Sequence, residues 1–73
     1  MTKLPVLSGE QIIQKLKGIG YEVSRQRGSH VRLKHLMGAR DPLTVPLHDE
    51  ISPGLLKAIL RQAKTTIEEL ASS

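Results

Sequence analysis

Three histidines, His30, His35 and His48, are the residues of this chain whose chemistry is easiest to recognise. His30 directly follows Gly28 and Ser29, and it begins a stretch in which basic and apolar side chains alternate. Free imidazole has a pKa of about 6.5, so a histidine can accept or donate a proton near neutral pH. A histidine surrounded by arginine and lysine side chains is suited to catalysing RNA cleavage, in which a 2′-hydroxyl attacks the adjacent phosphate. The ordinary alternative is a solvated histidine on a surface strand.

The residues around His30 supply the other groups that this chemistry needs. Arg27, Arg32 and Lys34 are candidates to stabilise the extra negative charge of the phosphorane that forms during attack. Gly28 would allow an RNA backbone to come close, because glycine has no side chain.

A metal site is not expected from this sequence. The predicted strand surface offers two histidines but no clear carboxylate as a third ligand. Glu22 or Asp49 could be recruited, although nothing in their spacing demands it. The chain has no cysteine, which excludes disulfides and thiolate metal sites. We therefore expect no cofactor.

The composition bounds the class of protein. A chain of 73 residues with one tyrosine and no other large aromatic forms one domain whose core is built from Leu, Ile and Val. Its net charge of +4 suits a polyanion or an acidic partner. The row Lys57, Arg61 and Lys64 at helical spacing is by default a solvated helix face. Neither a secretory signal nor a membrane-spanning stretch is evident, which predicts a cytoplasmic protein.

Periodicity and capping residues predict the helices. Ser8 with Gln11 has the spacing of a capping box, so the first helix should run from about Ser8 to Gly18. Ser52 followed by proline predicts the start of the second long helix. Thr66, three residues before a glutamate, predicts a short final helix within a C-terminal segment at 65–73.

Alternation of apolar and polar residues predicts strands at 21–27, 30–36 and 43–48, with a turn at Gly28–Ser29. Short connections imply an antiparallel meander, and each strand is apolar on one face only. We expect a single α+β domain over residues 1–73, with an N-terminal arm at 1–7. It should be a two-layer α-β-β-β-α sandwich with the helices on one face of a three-stranded sheet and an open, basic opposite face.

The same alternation predicts where side chains point and how the strands pair. Leu47 should point inward and Pro46 outward, on a strand at the edge of the sheet. One register would set His30 opposite His48, and another would set Arg32 opposite His48. His35 should point inward and serve packing.

Three segments of the chain, GSHVRLKH, TVPLHDEISPGLLKAILRQA and LSGEQIIQKLKGIGYEVSRQRGSH, resemble the HicA toxins of bacterial and archaeal toxin–antitoxin modules. The resemblance runs from about residue 7 to residue 63. It implies a double-stranded-RNA-binding-like fold, a ribonuclease that cleaves mRNA and arrests growth, and neutralisation by a HicB antitoxin.

The resemblance also implies roles for particular residues. His30 matches the catalytic histidine of the family's Gly-Ser-His motif, and Gly28 and Ser29 match the residues before it, which places them in the RNA-binding set with the nearby cations. His48 matches a second motif histidine and is a candidate auxiliary group. Family members often have glycine where this chain has Lys64, so the end of the second helix departs from the family pattern.

Two other functional classes stay open at this point. A non-catalytic RNA-binding module would use the same basic face only to hold phosphates. A protein-interaction domain would use it to bind an acidic partner and no nucleic acid. Cleavage of RNA in the presence of EDTA would distinguish a metal-independent ribonuclease from both of these classes.

Overall fold

The fold is taken from a computed structural model that describes residues 5–71. The elements in chain order are α1 (Gly9–Gly18), β1 (Tyr21–Arg27), β2 (His30–His35), β3 (Leu43–Pro46), α2 (Pro53–Gln62) and α3 (Ile67–Ala71). The three strands form one antiparallel sheet in the order β1-β2-β3. The predicted α+β meander is confirmed.

Both long helices begin at the predicted caps. The backbone N–H of Gln11 donates to Ser8 Oγ over 3.1 Å, and the Ser8 N–H donates to Gln11 Oε1 over 2.9 Å, which completes the capping box. At α2 the Leu55 N–H donates to Ser52 Oγ over 3.2 Å, and Pro53 occupies the first turn. Each cap satisfies backbone donors that a helix start leaves unpaired.

The side chains of the central strand β2 alternate between the two faces of the sheet. Val31 and Leu33 are buried under the helices, whereas His30, Arg32 and Lys34 are exposed on the opposite side. Tyr21 of β1 and aliphatic side chains from the three helices, β2, β3 and the residues flanking α2 form one core: Ile12, Ile13, Leu16, Val31, Leu33, Leu43, Val45, Ile51, Leu56, Ile59, Leu60, Ala63, Ile67 and Leu70. The predicted open, basic sheet face is confirmed.

Tyr21, the only aromatic residue, ties the core to the loop that follows β2. Its hydroxyl donates to the Asp41 carbonyl oxygen over 2.7 Å. Burial raises the pKa of the Tyr21 hydroxyl; the nearby Arg40 charge lowers this pKa, and the Asp41 charge raises it. The phenol therefore stays protonated and keeps donating this hydrogen bond.

The pairing of β2 with β3 differs from both predicted registers. Val31 lies opposite Val45 and Leu33 opposite Leu43, so His30 faces Pro46. This register pairs four buried side chains with one another across the two strands. The predicted placement of His48 opposite His30 or Arg32 is wrong.

The end of β3 explains the other misplaced side chains. Pro46, predicted to point outward, is buried, and Leu47, predicted to point inward, is 39% exposed. The first residue of α1, Gly9, lies so close to β3 that a Cβ there would overlap with the Pro46 carbonyl oxygen. Because the helix start covers the strand at this point, β3 stops at Pro46 and the alternation does not continue to His48.

The edge strand β1 extends beyond the cover of the helices. Val23, which strict alternation from Tyr21 would place on the buried face, is 42% exposed, and every residue after it in β1 is exposed as well. This half of β1 is therefore open to solvent, although Val31 of β2, which pairs with Gln26, stays buried.

The end of α2 departs from the predicted basic row. The helix ends at Gln62, so Lys64 lies beyond it with a φ of 53° in the left-handed region. The Lys64 N–H donates to the Arg61 carbonyl oxygen over 3.1 Å and the Thr65 N–H to that of Leu60 over 3.0 Å, which is the Schellman pattern. Lysine here occupies a conformation that normally selects glycine.

The two ends of the chain lie partly outside the described residues. Of the predicted arm at 1–7, residues 1–4 are outside, Pro5 and Val6 are exposed, and the Leu7 carbonyl oxygen accepts from the Ile51 N–H over 2.8 Å. The predicted short final helix is α3, although residues 72–73 are outside. Its first turn is closed by Thr66 Oγ1, which accepts from the Glu69 N–H over 3.1 Å.

The left-handed Lys64 leads to a stability prediction. Lys64→Gly should raise the free energy of unfolding by about 0.5–1 kcal/mol, because relief of the left-handed strain exceeds the added flexibility of the unfolded chain. The measurement is the urea midpoint at constant m-value. Lys57→Gly, the same change at an exposed position inside α2, should instead lower stability by about 1 kcal/mol. Equal losses in both variants would refute the assignment.

Candidate nucleic-acid interface

The β1–β2 hairpin fixes the position of His30. Gly28 has a φ of 59°, and it forms with Ser29 a tight turn that leaves Arg27 paired with His30. A positive φ at the first turn residue is what glycine provides in two-residue hairpins. No atom lies within 4 Å of where a Cβ on Gly28 would be, so the backbone conformation and not crowding requires glycine. The turn makes His30 the first residue of β2.

His30 is exposed, and its neighbours on the sheet are cations and a proline. Arg27 lies directly opposite on β1, Pro46 lies opposite on β3, and Arg32 follows two residues along β2. Directly opposite side chains have Cβ atoms about 4.5–5.5 Å apart. Within residues 5–71 the His30 ring makes no hydrogen bond, so both nitrogens are available to a ligand.

A β-bulge in β1 adds a cation that the sequence did not predict. Val23 pairs with Leu33, but the next pair is Arg25 with Arg32, so Ser24 is an extra residue. The Ser24 hydroxyl donates to the Arg32 carbonyl oxygen over 3.2 Å at this point. Because the bulge shifts the alternation by one, Arg25 and Arg27 share the face of Arg32 instead of the face of Val23.

Strict alternation from Tyr21 through Val23 would have put Arg25 on the helix side, and for that reason it was missed. No residue of β1 marks the bulge in the sequence, since Ser24 also fits an ordinary exposed strand position. The only indirect signal is that two arginines at 25 and 27 cannot easily face an aliphatic core.

We call the open surface formed by Arg25, Arg27, His30, Arg32 and Lys34 the arginine face. Lys34 is the only one of these with a carboxylate partner among the described residues, Glu22 at 3.9 Å. The Arg32 Nη1 donates to Thr44 Oγ1 over 3.2 Å. Arg25 and Arg27 make no ion pair within residues 5–71. The face therefore carries a largely uncompensated positive charge.

His35 is half-buried and packs beside the core, as predicted. Its Nδ1 accepts from the Ala39 N–H over 3.3 Å, and its Nε2 lies 2.8 Å from the Ile19 carbonyl oxygen. Since a carbonyl can only accept, Nε2 carries the proton. The ring also packs edge-on against Tyr21 with centroids 5.2 Å apart. Neither ring nitrogen of His35 is left for a substrate.

His48 lies two residues past the end of β3, at the same end of the sheet as the hairpin turn. Its side chain is exposed, and its carbonyl oxygen accepts from the Gly9 N–H over 2.9 Å at the start of α1. A shallow depression there is lined by Ser8, Glu10, Leu47, His48 and Asp49. The structure thus sets His48 beside a helix start and not across from His30.

Within residues 5–71, no three His, Asp or Glu side chains are grouped in a way that could hold a metal ion. Nor, over the same stretch, is any helix long and apolar enough to cross a membrane.

One comparison with known proteins identifies a family. A family model described as the HicA toxin of bacterial toxin–antitoxin systems matches residues 9–65, which is most of the chain. The match includes all three strands, both long helices and every residue of the arginine face. No curated protein sequence matches significantly.

The hairpin turn leads to a second prediction. Gly28→Ala should lower the free energy of unfolding by about 1–2 kcal/mol, because alanine is strained at positive φ although the space is open. Urea unfolding measures the loss, and cross-strand contacts between Arg27 and His30 in NMR spectra report the register. Ser29→Ala, at the next turn position, should be close to neutral. A neutral Gly28→Ala would show that the turn tolerates another geometry.

Proposed function

Because the chain belongs to the HicA toxin family and is thus the toxin of a bacterial toxin–antitoxin system, we propose that it is an endoribonuclease that cleaves mRNA. His30 acts as the general acid or base, and no metal or other cofactor takes part. The protein works in the cytoplasm, where its substrate is found, and a HicB antitoxin inhibits it.

The observation that carries this proposal is the placement of His30. An exposed imidazole without an internal partner stands at the end of a sheet face whose nearest charged neighbours are Arg27 and Arg32. A histidine that served packing would be hydrogen-bonded within the fold, as His35 is. Free ring nitrogens beside guanidinium groups suit proton transfer on a phosphodiester.

The reaction needs two proton transfers around one phosphorus. The 2′-oxygen forms a bond to phosphorus and loses its proton, while the bond from phosphorus to the 5′-oxygen breaks and that oxygen gains a proton. The products are a 2′,3′-cyclic phosphate and a 5′-hydroxyl. His30 performs one transfer. Pro46 lies opposite His30 on β3 and has no proton to transfer, so water performs the other transfer unless His48, the candidate auxiliary group, does so.

Arg27 binds the phosphate and stabilises its developing charge. Arg27 is the nearest because it pairs directly with His30. Guanidinium groups suit this task, since their fixed fork of N–H donors matches the oxygens of a phosphate. The arginine face has no aromatic side chain on which bases could stack, so contacts to phosphate and sugar dominate and sequence preference is weak.

The main prediction concerns His30. His30→Ala should lower the rate of RNA cleavage by about 10²–10⁴-fold and abolish growth arrest, because a general acid–base group is lost. The fold should not change, since the side chain is exposed and makes no hydrogen bond within residues 5–71. Circular dichroism checks the fold, and gel analysis of RNA in EDTA checks cleavage.

His48→Ala is the matched control, because it removes the other exposed histidine. It should retain activity to within about tenfold, less than the loss of a proton-transfer group. A comparable loss in both variants would make His48 the second proton carrier. An active, folded His30→Ala protein would refute the proposal, and RNA that is shifted but never shortened by the wild type would indicate a binding module.

The antitoxin leads to a further prediction. HicB should cover the arginine face and present acidic groups to it, since this face holds both His30 and unpaired cations. In the complex, NMR signals of His30 and Arg32 should shift, whereas those of Lys57 and Arg61 on the exposed face of α2 should not. Binding should weaken as salt is raised. A complex in which RNA still reaches His30 would contradict this mode of inhibition.

A further inference from the structure

Arg25 and Arg32 form a pair that the folded chain alone does not explain. They lie directly opposite each other across β1 and β2, and no carboxylate among the described residues bonds to either. Like charges at directly opposite positions of a sheet destabilise it. An anion between the two guanidinium groups would remove the repulsion, so the pair is a candidate binding site.

We propose that Arg25 and Arg32 form a second phosphate subsite, which binds the phosphodiester next to the one cleaved at His30 and Arg27. This inference rests on the proposed ribonuclease function and adds to it. It assigns a role to Arg25 and states that the substrate must be longer than one phosphodiester.

The spacing of the two pairs fits a single RNA strand. Arg27 with His30 and Arg25 with Arg32 are consecutive pairs on the same face, with no bulge between them. Two residues along a strand span roughly 7 Å, which is comparable with the distance between successive phosphates of an extended RNA strand. One strand that runs along the hairpin can therefore place one phosphate at each pair.

Two hydrogen bonds to Arg32 support the second pair before any ligand arrives. Thr44 Oγ1 accepts from the Arg32 guanidinium over 3.2 Å, and the Ser24 hydroxyl donates to the Arg32 carbonyl oxygen over 3.2 Å. Thr44 lies opposite Arg32 on β3 and is half-buried. Thr44 is thus a positioning residue for Arg32, and Ser24 is a positioning residue for the bulge that brings Arg25 to this face.

The test uses 2′-O-methyl uridine di- and trinucleotides, which carry one and two phosphodiesters and cannot be cleaved because the 2′-oxygen is blocked. NMR titration of the full-length wild type at low salt should give roughly tenfold tighter binding of the trinucleotide, as expected for one added charged contact. If the protein had only one phosphate site, either of the two phosphates of the trinucleotide could occupy it. This statistical effect alone would tighten binding at most twofold.

Arg25→Gln should remove this gain, so that the dinucleotide and the trinucleotide bind with affinities within about twofold of each other. Arg61→Gln, which removes the same charge from the exposed face of α2, should keep the gain. Thr44→Val should reduce it and Thr44→Ser should restore it, because serine keeps the hydroxyl that accepts from Arg32. With longer single-stranded RNA, Arg25→Gln should also make the slope of log affinity against log salt about 0.7 shallower.

Three results would overturn the subsite. One is an unchanged gain in Arg25→Gln, and another is an equal loss for both oligonucleotides, which would indicate only a general charge effect. The third is an Arg25→Gln protein that binds RNA normally but has lost affinity for the antitoxin, which would assign the pair to the protein partner. If instead no RNA is cleaved but the trinucleotide gain and its loss in Arg25→Gln are observed, the proposed catalysis fails and the subsite stands.

Discussion

The pairing of β1 with β2 is the constraint on which the arginine face depends. The turn at Gly28 starts the register by setting Arg27 across from His30, and the bulge at Ser24 ends it by absorbing one residue. Between these two points the side chains of β1 are shifted by one position relative to its first three residues. Without that shift, the buried start of β1 and the arginines of its exposed half would compete for the same face.

The core and the arginine face impose opposite demands on the hairpin. Tyr21 at the start of β1 must lie under the helices, where its hydroxyl bonds to the Asp41 carbonyl. Further along, the helices no longer cover the strand, and apolar side chains there would not be buried. The residues that follow Val23 in β1 are accordingly polar and charged. A domain of this size has a small core and little stability to spare. The repulsion between Arg25 and Arg32 is thus a cost that an anionic ligand or partner would relieve.

Local signals in the sequence were sufficient for most of the fold. The capping box at Ser8, the Ser52–Pro53 helix start and the alternation of β2 each depend on neighbours a few residues apart, and each was predicted. The resemblance to HicA toxins implied a catalytic role for His30. The residue pattern alone left open whether His30 transfers protons or is an ordinary solvated histidine. The features that were missed depend on contacts between distant segments. The close approach of Gly9 to Pro46 ends β3 early, and no period within the strand itself records it.

The three histidines have different surroundings, which depend on their positions in the fold and not on the residue type. His30 begins and His35 ends the same correctly predicted strand, yet the His35 ring bonds to Ala39 and Ile19 and the His30 ring makes no hydrogen bond within the described residues. His48 was grouped with His30 on the assumption that β3 continues for two more residues. Because the start of α1 lies against the end of β3, His48 lies beyond the strand with its carbonyl bonded to the Gly9 N–H, and the side chain opposite His30 on β1 is that of Arg27. The proposed chemistry at this face is therefore proton transfer by one imidazole among positive charges, which suits a polyanion that carries its own nucleophile.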